Sequence, residues 1–177
     1  METMLPNIGS ESIVVSLQNG LNEEVISEYI GSRNTIGCLV DWGGAYIGPG
    51  QIQYSGDAPM RIGTLDGSIT DSLMQICTIL NNTNETTVTS NITGYLWSKI
   101  IWGNSYVSNA LGTSTSVSML ENDRNRPILL AMFRESTRVA QAVSVKLEPL
   151  VEHNFDPAAL LSMNTRQALK EFVRMAD

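Results

Sequence analysis

Near residue 91 the sequence changes texture, and the change limits the folds open to it. Before that point stand short β-branched runs divided by turn residues, while Tyr95 to Leu111, Arg126 to Leu150 and Ala158 to Met175 all space their apolar side chains for helices. The pattern predicts α/β followed by all-α, with one domain over 1–91 and a helical one over 92–177.

In the first part, Ile13 to Leu17 reads as a buried parallel strand that stops at Gln18-Asn19-Gly20, so that its carboxyl end presents Asn19. Asn22, followed by Glu23 and Glu24, predicts an N-cap for a helix running to Ile30 and closed by Gly31. A second strand is expected over Thr35 to Trp42. A hairpin turning at Gly48-Pro49-Gly50 follows, then an edge strand at Arg61 to Gly63, a helix over Thr70 to Leu80 and a strand over Thr86 to Ser90. Gly112 to Ser116 reads as a loop, and Asp156-Pro157 as cap and first residue of the last helix.

The formal net charge of −7 leaves no electrostatic source for a grip on nucleic acid or an anionic membrane. A content of 42% hydrophobic and 16% charged residues is that of a folded soluble protein. No apolar run reaches the ~18 residues of a membrane span, and a cytoplasmic location is expected. Cys38 and Cys77 lie in apolar runs and read as small buried hydrophobes.

Within Leu96-Trp97-Ser98-Lys99-Ile100-Ile101-Trp102-Gly103 a single lysine stands among large apolar side chains on a helix. It is either a snorkelling lysine with a packed stem or a functional one. Asn19 is either the corner of an Asn-Gly turn or an amide presented at a strand end. His153, the only histidine, lies beside Glu152 and reads as a solvated loop residue.

The run Ser16-Leu17-Gln18-Asn19-Gly20-Leu21, then Pro49-Gly50 in a hairpin, then Leu96-Trp97-Ser98-Lys99 resembles the ketopantoate reductase family in residues, order and spacing. The resemblance implies reduction of a 2-oxo acid to a 2-hydroxy acid by NADPH, in a cytoplasmic homodimer. It implies the closing part of a Rossmann-like nucleotide-binding domain followed by a helical domain, with the active site in a cleft between them. Lys99 would be the catalytic residue; Asn19 and Gly20 would meet the cofactor, NADP, and Asn19 would also meet substrate.

Many members of that family carry asparagines four and eight positions after the lysine, to hold the substrate. Here Gly103 and Val107 stand there, and the asparagines present, Asn104 and Asn109, are turned roughly 140° and 80° away on an ideal helix. Gly103, Asn104 and Asn109 are therefore the candidate substrate contacts, with open space at Gly103 pointing to a substrate other than ketopantoate. No Gly-x-Gly-x-x-Gly occurs among these residues. The alternatives are a non-catalytic helical dimerisation module and a related Rossmann-plus-helical hydroxyacid dehydrogenase.

Overall fold

The computed structural model describes residues 3–56, 58–113 and 115–176. Two compact units divide the chain, Met1–Ile92 and Thr93–Asp177.

The first unit is built on a four-stranded sheet whose strands are β1 (Val14–Ser16), β2 (Thr35–Leu39), β5 (Met60–Thr64) and β6 (Thr86–Val88), in that order. β1 and β2 are parallel, β2 and β5 antiparallel, and β5 and β6 parallel. Every residue of β2 is buried, as expected of a central strand covered on both faces. Helix α1 (Asn22–Ile30) packs on β1 and β2, and α2 (Asp71–Leu80) on β5 and β6. Ile36, Cys38, Met60 and Ile62 meet Leu73 and Cys77 of α2 in one core cluster, so both cysteines are buried as read.

Between β2 and β5 the chain makes the hairpin of β3 (Gly43–Gly48) and β4 (Gln51–Ser55). Its two-residue turn has proline first and Gly50 second at φ +71°, a conformation that glycine adopts without strain.

The expected edge strand at Arg61 is a correction. β5 lies inside the sheet, hydrogen-bonded on both sides, because the antiparallel return from the hairpin brings it against β2 and leaves its far side for β6. Its Gly63 is required by that position: a Cβ there would stand 2.6 Å from the Thr89 carbonyl oxygen.

The second unit holds five helices among the described residues: α3 (Ile92–Asn109, starting at the unit boundary), α4 (Ser116–Glu121), α5 (Arg126–Ala142), α6 (Pro157–Ser162) and α7 (Thr165–Ala176). Phe133 of α5 is its centre, stacked on Phe172 of α7 at 5.8 Å and tilted against Phe155 at 5.0 Å. All three rings are almost wholly buried, each removing apolar surface worth about 1.5–3 kcal/mol.

Three helix limits differ from those read in sequence. Of the expected loop 112–116, Ser114 lies outside the described residues; Thr115 caps α4 by accepting from the Ser118 N–H, so a helix starts where loop was expected. α5 stops at Ala142 instead of Leu150 because Ser144 turns left-handed at φ +62°. The N–H of Val145 then donates to the Ala140 carbonyl and that of Ser144 to the Gln141 carbonyl, a Schellman closure.

The last expected helix is two. Asn164 accepts from the Gln167 N–H and Gln167 accepts from that of Asn164, a capping box that starts α7 afresh. Arg134 of α5 holds the end of α6 by donating to the carbonyls of Leu160 and Met163.

Candidate functional site

In the first unit the candidate residues sit on the loop that joins β1 to α1. Asn19 is exposed there, one position before Gly20, whose φ of +108° suits a residue without a Cβ. Asn22 is not the N-cap expected from sequence. It is the first helical residue, and its side-chain amide donates back to the Asn19 carbonyl at 3.0 Å, which holds the corner and leaves the Asn19 side chain outward.

Beneath this loop lies a buried carboxyl in the first turn of α1, where the sequence places acidic residues. Glu23 is 2% exposed and Ser16, at the end of β1, 3%. Burial holds the Glu23 carboxyl above the usual glutamate value, with the nearby Ser16 hydroxyl pulling the other way and Glu24 adding to the rise. Neither the Ser16 Oγ nor the carboxyl oxygens of Glu23 has a hydrogen-bond partner in good geometry among the described residues. Desolvation is the largest of these effects and sets the direction.

A cavity of about 780 Å³ opens beside the same strand ends. Leu17 and Val40, the residues that directly follow β1 and β2, line it with Trp42, Tyr54 and Asn84. The Trp42 and Tyr54 rings meet at 5.6 Å, and Asn84 donates to the Tyr54 hydroxyl at 2.8 Å. Ligands of open α/β sheets collect outside the carboxyl ends of the parallel strands, which is where this cavity lies. Sequence reading missed it; the available signal was the apolar residue just past each strand end.

In the second unit Lys99 is half-buried on α3. Leu96, Ile101 and Trp102, its neighbours along the helix, are buried. Gly103 and Val107 follow it at one and two turns on the same face. α3 is regular throughout, with no bulge to rotate Asn104 toward the lysine, and Asn104 instead donates to the Ser136 Oγ on α5 at 3.0 Å. Asn109 is the last residue of α3, its carbonyl accepting from the Gly112 N–H.

Gly103 stands in the interior of α3, where glycine costs about 1 kcal/mol against alanine. A Cβ there would meet no atom within 4 Å. His153, expected in solvent, is half-buried and stacked on Trp102 at 4.9 Å and 18°.

Residues 1–67 match the family model for ketopantoate reductase PanE/ApbA. The 2-dehydropantoate 2-reductase of Pyrococcus horikoshii is 27% identical over 174 residues, covering 96% of this chain and 54% of the relative. Among solved structures, a D-mandelate dehydrogenase in complex with NADH superposes with a TM-score of 0.76 at 16% identity, over 99% of this chain and 58% of that one. A dimeric ketopantoate reductase from Staphylococcus aureus does so with a TM-score of 0.69 at 18% identity, over 97% and 59%.

The chain thus spans a little over half the length of these relatives. The sheet with its helices is the Rossmann-like part of that fold and the helical unit its partner. The family model over residues 1–67 and a relative that aligns along nearly all of the chain thus both mark a similarity to ketopantoate reductases.

Proposed function

We propose that the intact protein reduces a 2-oxo acid to a 2-hydroxy acid with NADPH, and that Lys99 is its catalytic residue. Residues 1–91 then close the nucleotide-binding domain, and 92–177 belong to the substrate and dimerisation domain of a cytoplasmic homodimer. The observation that carries the reading is the half-buried Lys99 on α3, in a chain similar to ketopantoate reductases along nearly its whole length.

The residues present fit the nicotinamide end of the cofactor. Asn19 offers an exposed amide at a strand end, Gly20 leaves the backbone bare, and an apolar cavity adjoins β1. When bound, the nicotinamide supplies a hydride to the carbonyl carbon of the substrate. The electron pair of that carbonyl's second bond would then pass to its oxygen, where Lys99 would meet it. The Lys99 ammonium stabilises the negative charge and gives its proton to the oxygen, completing the hydroxyl. Asn19, able to donate and accept, orients the reacting groups.

The test is NADPH consumption by the intact protein over a panel of 2-oxo acids. Lys99→Ala is expected to lower kcat about 10²–10⁴-fold with the fold intact by circular dichroism. Unchanged turnover in that variant would favour a helical interaction module over a reductase. NADH in place of NADPH checks the cofactor, and sedimentation checks the dimer.

A further inference from the structure

The first turn of α1 begins without a side-chain cap. The residue before it is Leu21, which has nothing to accept from the free N–H groups of a helix start. Within the turn Asn22 is half-buried, Glu24 and Val25 are exposed, and Glu23 alone is buried. The inward anchor of this turn is therefore a carboxylic acid.

The corner that precedes α1 rests on the same turn. The Asn22 amide donates to the Asn19 carbonyl at 3.0 Å, and it would stand 3.5 Å from a Cβ added at Gly20. Leu17, Gln18 and Asn19 are exposed, so no burial of their own fixes them. A displacement of the first turn carries the corner with it.

Glu23 suits this place only as an acid. Its two oxygens, and the Ser16 Oγ beside it at the end of β1, are buried without a hydrogen-bond partner in good geometry among the described residues. An anion there needs donors or water. The elements packed on α1 bring it no compensating charge. β1 carries no titratable side chain, Cys38 on β2 lies in the core cluster with α2, and Arg33 before β2 is exposed. On α1 itself Glu24, Glu28 and Tyr29 are exposed, and the Glu24 charge works against ionisation. Once ionised, Glu23 reaches water only where the structure opens. Ile26 of the next turn is buried, while the corner is exposed, and an exposed loop opens more readily than a packed turn.

We propose that Glu23 is a proton-operated latch on the Asn19–Gly20 corner: the protonated side chain holds the first turn of α1 against β1, and loss of the proton lets turn and corner open together. The latch does not depend on the reductase reading. On that reading it also governs how firmly Asn19 is set to orient the reacting groups.

The experiment is amide hydrogen exchange of the intact protein, followed by mass spectrometry in peptides over 17–25 and, for reference, over 35–39. Wild type and Glu23→Gln are compared at each pH, which cancels the intrinsic pH dependence of exchange. The two are expected to exchange alike below the ordinary glutamate value of 4.5. At neutral pH the wild-type corner should exchange at least about threefold faster, with 35–39 the same in both. Ser16→Ala removes the hydroxyl that favours the anion, so it should speed corner exchange at neutral pH beyond wild type, the opposite sign to Glu23→Gln. Should Glu23→Gln fail to fold by circular dichroism, Ser16→Ala against wild type carries the test. Corner exchange that these substitutions leave unchanged at every pH, or a change shared equally by 35–39, overturns the latch and leaves the reductase reading in place. A latch seen by exchange in a protein that reduces no 2-oxo acid overturns the reductase reading alone.

Discussion

Asn104 of α3 and Ser136 of α5 are joined by a 3.0 Å hydrogen bond from the amide to the hydroxyl oxygen. The bond ties two helices of the second unit and turns Asn104 off the face that carries Lys99. Asn104→Ala is therefore expected to lower stability by about 1 kcal/mol, as is Ser136→Ala, with the double variant costing less than the sum. Chemical denaturation of the four proteins measures the coupling. A large rise in KM with stability unchanged would instead put Asn104 on the substrate.

Ser144 holds the left-handed position of the turn that ends α5. A side chain is strained there and glycine is not, so Ser144→Gly is expected to stabilise the protein by about 0.5–1 kcal/mol. Thermal denaturation should show a higher melting temperature; a lower one would mean that the serine side chain contributes something its hydrogen bonds do not reveal.

Glu23 adds a pH dependence whose sign follows from burial. Its carboxyl is held above the ordinary value of 4.5, so the folded protein binds its proton more tightly than the unfolded chain does. The contribution is fully present below the unfolded value and is lost as pH rises from there through the folded one. Glu23→Gln keeps the shape of the neutral acid without the titration. It should be more stable than wild type at neutral pH, and the difference should vanish on acidification toward the unfolded value. Equal stability across that window would show that Glu23 titrates normally.

Local patterns in the sequence determined much of this protein. The β-branched runs, the Pro49-Gly50 turn and the Asp156 cap each act within a few residues, so β1, the hairpin and the start of α6 were legible there. So were Lys99 on a helix and Asn19 in a loop after a strand, because spacing alone places them. Tertiary structure decided what depends on distant partners. β5 is interior because β6 reaches it, His153 is half-buried because Trp102 lies under its ring, and Asn104 is structural because Ser136 meets it from another helix. Glu23 is the clearest case: a glutamate in the first turn of a helix looks solvated until the packing around β1 closes over it and takes its water away.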